Sequence, residues 1–108
     1  MKGTHLGEFE EIVLLTAGVL TGEAYGLSVK YEVEKRSERK VNLSAIHSAL
    51  YRLERKGFLR SELGEATQRR GGKRKKYFYV TSMGMKSLHE VKDLRSNLWA
   101  SLSKAVTG

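Results

Sequence analysis

Apolar residues recur at helical spacing in four stretches of this 108-residue chain, and two short runs with β-strand character lie before the last of them. The first stretch, from Glu8 to Leu20, predicts a mostly buried helix whose apolar positions are Phe9, Ile12, Val13, Leu15, Ala17, Val19 and Leu20. A second helix is predicted to open at Tyr25-Gly26. Its Val29 and Val33 are four residues apart, so they share a face that can pack on the first helix.

The third helix, predicted from Ser44 to Lys56, has the clearest pattern. One stripe is apolar, either Asn42 or Ser44 can cap the start, and Gly57 can end the helix. The opposite face carries small, polar and basic side chains: Ala45, His47, Ser48, Tyr51, Arg52 and Arg55. Small residues allow a helix to enter a DNA major groove, and polar ones can reach base edges and phosphates. An ordinary solvated helix face has the same composition, so this helix alone does not decide the function.

The two β-type runs, Phe58 to Leu63 and Tyr77 to Val80, predict an antiparallel pair with a long, basic loop between them. From position 69 to 76 there are two glycines, no acid and six cations, which are Arg69, Arg70, Lys73, Arg74, Lys75 and Lys76. Such cations release counterions from phosphates, and glycine lets the backbone approach a duplex closely. Solvated charged loops usually mix both signs, so we favour nucleic-acid binding here. A polar-faced helix followed by a basic hairpin is the arrangement of a winged helix.

The last helix is predicted from Met83 to about Ala105, with Thr81-Ser82 able to cap it. It is too long to be covered completely by a domain of this size. We therefore expect a second copy of the chain to cover its apolar stripe, although folding back on its own domain is the alternative. The predicted dimerisation residues are Leu88, Val91, Leu94, Leu98, Trp99 and Leu102.

Composition indicates the class of partner and excludes several classes of protein. Lys and Arg number 20 against 12 Asp and Glu, and the resulting net charge of +8 favours a polyanionic partner. The absence of cysteine excludes disulfides and thiolate chemistry. No apolar run suits a signal peptide or a membrane span, so we expect a cytoplasmic protein without membrane contact.

The sequence also lacks the patterns of an enzyme or a metal protein. The three histidines, His5, His47 and His89, are scattered, and no phosphate-binding loop or dinucleotide motif occurs. We therefore expect no catalytic activity, no cofactor and no metal site.

Four sequence blocks occur in a fixed order, and together they form a specific pattern. They are L-G-E-F-E-E-I-V-L-L (Leu6 to Leu15), A-Y-G (Ala24 to Gly26), S-A-I-H-S-A-L-Y-R-L-E-R-K-G-F-L (Ser44 to Leu59) and R-G-G-K-R-K-K-Y-F-Y-V-T-S-M-G (Arg70 to Gly84). Over roughly Leu6 to Leu88 the chain resembles the PadR family of transcriptional regulators. The resemblance implies a winged helix-turn-helix, a C-terminal dimerisation helix and a palindromic operator, usually with repression of nearby genes. The short tail is similar to that of the compact subgroup.

Two positions depart from the family pattern, and one matches a ligand feature of compact relatives. His47 stands where the family commonly has tyrosine, and Ser44 where it commonly has glycine, so the operator preference of relatives does not transfer directly. A histidine there could also make DNA binding depend on pH. In compact relatives, aromatic compounds bind between the subunits near a tryptophan of the last helix. The resemblance therefore implies a small aromatic effector at Trp99, for which a plain interface anchor is the alternative.

The predicted fold is mainly α with a small β-hairpin, a winged helix-turn-helix plus a long C-terminal dimerisation helix. Residues 1–7 are predicted to form a flexible arm, 8–82 the DNA-binding domain and 83–108 the dimerisation helix. The predicted function is that of a homodimeric repressor on double-stranded DNA. The helix contacts to DNA would come from Asn42, Ser44, Ala45, His47, Ser48, Tyr51 and Arg52, and the hairpin contacts from the six cations named above. A sequence-tolerant architectural or RNA-binding protein and a protein-interaction module are the alternatives.

Overall fold

A computed structural model describes residues 6–64 and 74–107, and within these ranges the chain forms four helices and one β-hairpin. In chain order the elements are α1 (Glu8–Val19), α2 (Gly26–Ser37), α3 (Leu43–Arg55), β1 (Leu59–Leu63), β2 (Lys76–Val80) and α4 (Ser82–Thr107). The predicted fold class, mainly helical with a two-stranded hairpin and a long last helix, is confirmed.

The first three helices meet around one apolar core because each contributes one buried stripe. Side chains with no or almost no exposed surface come from every one of them and from the hairpin: Val13, Leu14, Ala17, Val29, Val33, Ile46, Ala49, Leu50, Leu53, Phe58, Leu59 and Phe78. The stripe of α3 repeats at intervals of three and four residues, which is the spacing that places side chains on one side of a helix. Burial of that stripe fixes which face of α3 remains outside.

The ends of α3 are set by local chemistry. Asn42 adopts an extended backbone, and its Oδ1 accepts a hydrogen bond of 2.8 Å from the backbone N–H of Ser44. The cap is therefore Asn42, which the sequence offered as the alternative to Ser44. Beyond the other end, Gly57 has a φ of 84°, a conformation that costs little only for glycine. The chain can thus turn directly from α3 into β1.

The hairpin pairs β1 and β2 antiparallel, with Leu59 opposite Val80 and Leu63 opposite Lys76. It is fastened to the helices at two places. The backbone N–H of Phe78 donates to the carbonyl of Ala24 at 2.8 Å, and the hydroxyl of Thr81 donates to the carbonyl of Gly57 at 2.6 Å. We call the hairpin and the loop between its strands the wing, and these two hydrogen bonds attach it beside α2 and at the end of α3.

Helix α4 divides into a packed half and a projecting half. Gly84 and Ser87 are buried, and an added Cβ at Gly84 would lie 2.3 Å from the carbonyl oxygen of Phe58. Val91 is the last buried residue, and every residue from Lys92 to Thr107 is exposed. The described molecule consequently measures 63 × 30 × 20 Å.

Two expectations from the sequence need correction. Leu15 and Val19, assigned to a mostly buried helix, are exposed at 48% and 59% because they face the side of α1 toward α4. Leu6, assigned to a flexible arm, is buried in the core, so the packed part of the chain begins there. Residues 1–5 lie outside the described ranges, and none of the described helices is both long and apolar enough to cross a bilayer.

Candidate nucleic-acid interface

The outer face of α3 and its N-cap form a surface of small and polar side chains, which we call the reader face. It comprises Asn42, Ser44, Ala45, His47, Ser48 and Tyr51, of which all but His47 are exposed. The oxygen of Asn42 accepts hydrogen bonds from both the backbone N–H and the hydroxyl of Ser44. The structure thus brings six predicted contact residues together on one solvent-facing side of one helix.

His47 differs from its neighbours because it is partly buried between α3 and the start of α2. A Cβ added to Gly26 would lie 2.4 Å from Cε1 of His47, so the imidazole occupies the space that a side chain there would need. On its other side the ring stacks on Tyr51 with centroids 6.2 Å apart. The packing against Gly26 explains the glycine of the A-Y-G block.

Arg52, predicted as a DNA contact, is held from behind by Glu10 of α1. Its Nε donates to one carboxylate oxygen at 3.2 Å, and Nζ of Lys56 lies 2.8 Å from the other. The backbone N–H of Gly7 donates to the same carboxylate at 2.9 Å. Burial raises the pKa of Glu10, but these hydrogen bonds outweigh it, and the pKa falls below its ordinary value. The hydrogen bonds and the two cations therefore favour the ionised form of Glu10.

The described part of the wing has two exposed cations, of which Lys75 lines the same surface pocket as His47 and Tyr51 of the reader face. Arg74 and Lys75 are exposed, and Nζ of Lys75 lies 4.2 Å from the centroid of the Tyr25 ring. Tyr25 meets Tyr77 of β2 edge to face at 5.8 Å, which ties the root of the wing to α2. Three other predicted wing contacts, Arg69, Arg70 and Lys73, lie outside the described residues.

Lys76, the last predicted wing contact, faces α3. Its Nζ lies 3.3 Å from Oε1 of Glu54 and 4.9 Å from the ring centroid of Tyr51. The other oxygen of Glu54 accepts a hydrogen bond from the Ser61 hydroxyl of β1. That hydrogen bond lowers the pKa of Glu54 most, burial opposes it, and Lys76 lowers the pKa further. The ion pair between Glu54 and Lys76 thus links α3 to strand β2 of the wing.

The predicted dimerisation residues fall into two groups. Val91 belongs to the core of its own chain and Leu88 is partly buried against that core. The others remain uncovered on the projecting half of α4, where we define the α4 stripe as Leu94, Leu98, Trp99, Leu102 and Val106. Trp99 is exposed at 65%.

A groove of about 870 Å³ runs between α1, the hairpin and α4, and Trp99 lies at its edge. Its apolar walls are Leu15, Val19, Val80, Met85, Leu88 and Trp99. One ion pair crosses from α1 to α4, with Arg95 lying 2.9 Å from Glu11. The exposed apolar residues Leu15 and Val19 of α1 and Met85 and Trp99 of α4 therefore line one groove.

Sequence reasoning missed the two carboxylates that organise the interface, Glu10 and Glu54. Glu10 lies 42 residues before Arg52 in the chain, and no spacing rule links residues so far apart. Glu54 sits within the third helix among basic residues, where it has the pattern of an ordinary surface charge. Tyr25, whose ring contacts the ammonium group of Lys75, was also not predicted as an interface residue.

Comparison with known proteins identifies relatives of this fold. The model of the transcriptional regulator PadR-like family matches residues 15–90 of the chain. A PadR-like transcription factor from Bacteroides fragilis superposes with a TM-score of 0.75 at 23% identity, covering 90% of this chain and 88% of that one. A PadR-like transcriptional regulator from Bacillus cereus gives 0.69 at 20% identity, covering 93% and 92%.

A further relative lies slightly closer in sequence. A PadR family transcriptional regulator from Eggerthella lenta shares 26% identity at a TM-score of 0.64, covering 87% of this chain and 80% of that one. Among curated proteins, no sequence matches the chain.

Proposed function

The chain belongs to the PadR-like family of transcriptional regulators, and from this membership and the reader face we propose that it is a homodimeric repressor of a palindromic operator. The coarser statement follows from the family itself: this is a DNA-binding transcriptional regulator and not an enzyme. The observation that carries the finer proposal is the adjacency of an exposed, small and polar helix face to a basic wing.

The reader face is the part that distinguishes sequences in this proposal. Ala45 and Ser48 are small enough for α3 to lie deep in a major groove, and Ser44 and His47 offer hydrogen-bonding groups to base edges. Asn42 and Tyr51 flank them. Arg52 is left out of these base contacts because it is paired with Glu10. Lys76 is likewise left out of the wing contacts because it is paired with Glu54.

The wing supplies contacts to the DNA backbone. Arg74 and Lys75 are exposed, and Lys75 lies beside the reader face. We keep Arg69, Arg70 and Lys73 as wing contacts from the sequence alone. Phosphate contacts position a protein on the duplex, whereas base contacts specify the site. Loss of a wing cation is therefore expected to weaken binding to every sequence alike.

The second copy of the chain is proposed to cover the α4 stripe. All sixteen residues from Lys92 to Thr107 are exposed, and five of them form the apolar stripe. Two-fold pairing of this half would place two reader faces on half-sites about 10 base pairs apart, one turn of the double helix. In the proposed division, residues 1–7 precede the DNA-binding domain of residues 8–82, and residues 83–108 form the dimerisation helix. The first turns of that helix also pack on the domain.

DNA binding measured with variants of the two surfaces tests the proposal. A fragment of the protein's own promoter should be preferred over bulk DNA by about a thousandfold or more. Ser48→Asp should abolish this preference, because the new carboxylate meets base edges and phosphates. Ser82→Asp adds the same charge at the start of α4 and should leave it unchanged. Arg74→Ala should weaken promoter and bulk DNA equally and flatten the salt dependence.

Two results would contradict the proposal. Equal affinity of the unaltered protein for promoter and bulk DNA would favour the sequence-tolerant architectural or RNA-binding alternative. A change of base preference in Arg74→Ala, without loss of overall affinity, would show that our division between reader face and wing is wrong.

A small aromatic effector is proposed for the groove beside Trp99. The groove walls are mostly apolar, and Tyr79 and Trp99 offer aromatic faces. Planar aromatic compounds should therefore quench Trp99 fluorescence and lower promoter affinity. If no compound of a broad panel changes the fluorescence, Trp99 is an anchor of the dimer only.

A further inference from the structure

Glu10 is a buried acid between α1 and the last turn of α3. Its exposed fraction is 6%, and its two oxygens accept hydrogen bonds from Gly7, Arg52 and Lys56. A single carboxylate is thus paired with two cations, Arg52 in the last turn of α3 and Lys56 directly after it.

The ion pairs of Glu10 with Arg52 and Lys56 compensate a buried negative charge. A buried charge without a partner is strongly unfavourable, and the pairing of Glu10 with Arg52 and Lys56 meets that need. The hydrogen bond from Gly7 also holds the carboxylate at the start of α1. Nε of Arg52 is consequently directed toward α1, although the residue lies on the exposed side of α3 and 44% of its side chain is accessible.

We propose that Glu10 is a positioning residue for DNA recognition, which withholds Arg52 and Lys56 from DNA phosphates and so limits sequence-independent binding. This inference rests on the proposed role of α3 as the reader. Each cation that meets a phosphate strengthens binding to all sequences, since phosphates carry no base information. Two cations kept on Glu10 therefore leave a larger share of the affinity to base contacts.

Glu10→Gln separates this role from simple structural support. Glutamine has nearly the same shape and can still accept the hydrogen bond from Gly7, but it carries no charge to hold Arg52 and Lys56. Binding to bulk DNA should tighten, and its salt dependence should steepen by about 0.9 for each released cation, up to about 1.8 for both. The preference for the promoter over bulk DNA should shrink. A purely structural acid would change stability without steepening this slope.

Arg52→Gln is the reciprocal variant and serves also if Glu10→Gln does not fold. Because Arg52 is withheld in the unaltered protein, its replacement should leave the salt slope unchanged. Arg74→Ala on the wing should lower the slope by about 0.9 in the same assay. Loss of slope in Arg52→Gln as large as in Arg74→Ala would overturn the inference. An unchanged slope in a folded Glu10→Gln variant would overturn it as well.

The same assays distinguish failure of this inference from failure of the proposed function. If Ser48→Asp leaves promoter binding intact, α3 is not the reader, and the proposed function and the inference fall together. If Ser48→Asp abolishes promoter preference while Glu10→Gln leaves the salt slope as it was, only the role of Glu10 is wrong.

Discussion

His47 and Gly26 form the most sharply defined residue pair at the edge of the reader face. The imidazole fills the space where a side chain at position 26 would begin. The distance of 2.4 Å from an added Cβ to Cε1 is far below van der Waals contact, so the ring must move if that carbon is present. The position of His47 is thus set by α2 as well as by α3.

Gly26→Ala is therefore expected to destabilise the protein by about 1–3 kcal/mol, the usual cost of inserting a group into a packed contact. The double variant Gly26→Ala with His47→Ala should recover most of that loss, because the ring is then absent. Urea unfolding of both single variants and the double variant measures the coupling. Strictly additive effects would show that the ring does not limit position 26.

Part of the acid sensitivity of the fold should trace to Glu10. Because the pKa of Glu10 is lowered in the fold, its ion pairs and hydrogen bonds contribute stability above the ordinary glutamate pKa of about 4.3. This contribution is lost as pH falls through that value toward the pKa in the folded state. Glu54 shares the direction of the shift.

Urea unfolding from pH 7 down to pH 3 should therefore show a stability loss that is smaller in Glu10→Gln than in the unaltered protein. Comparison of the two proteins cancels the other glutamates with lowered pKa, Glu32, Glu34 and Glu54. Parallel curves would mean that protonation of Glu10 does not contribute to acid unfolding.

The limits of sequence reasoning are visible at these residues. The polar face of α3 could be predicted because burial of Ile46, Leu50 and Leu53 leaves only one face outside. The partner of Arg52 could not, since it is fixed by how α1 crosses α3 and not by any local spacing. A basic residue on a predicted DNA-binding helix has the same sequence pattern whether it meets phosphate or a buried acid.

At the scale of elements, Asn42 has two roles that can be separated. Its Oδ1 caps α3, and its side chain is exposed at the end of the reader face. Asn42→Ala should cost about 1 kcal/mol through loss of the cap. Asn42→Asp keeps a capping oxygen and should retain stability, but its charge should weaken DNA binding. Thermal unfolding and promoter affinity of both variants check this, and equal DNA affinity in Asn42→Asp would remove Asn42 from the interface.

The elements themselves were predicted closely, with most boundaries shifted by one or two residues. Periodicity sufficed for α1 to α4 because each buries one stripe, and Gly57 marks a positive φ that ends α3. Exposure of Leu15 and Val19 was not predicted. An apolar residue on a helix has the same pattern whether it meets the core or a groove on the surface.

For the molecule as a whole, the proposed dimer depends on the α4 stripe. Leu98→Asp places a carboxylate in its middle and should give a monomer in sedimentation equilibrium with unchanged helical content. Promoter affinity should fall by about a hundredfold or more, since the two reader faces are no longer linked. Asn97→Asp adds the same charge beside the stripe and should remain dimeric. A dimeric Leu98→Asp variant would move the interface elsewhere.

Helix α4 is one uninterrupted helix, so it joins the core contact at Val91 directly to the exposed surface around Leu98. Its 26 residues span about 39 Å. A rigid rod of that length, tilted by about 5° at one end, displaces the other by about 3.4 Å, the rise of one base pair. In the proposed dimer, a tilt of this size would therefore move one reader face by about one base step relative to the other. Under the proposed function, an effector bound in the groove beside Trp99 would contact α4 and would thereby alter the spacing of the two reader faces.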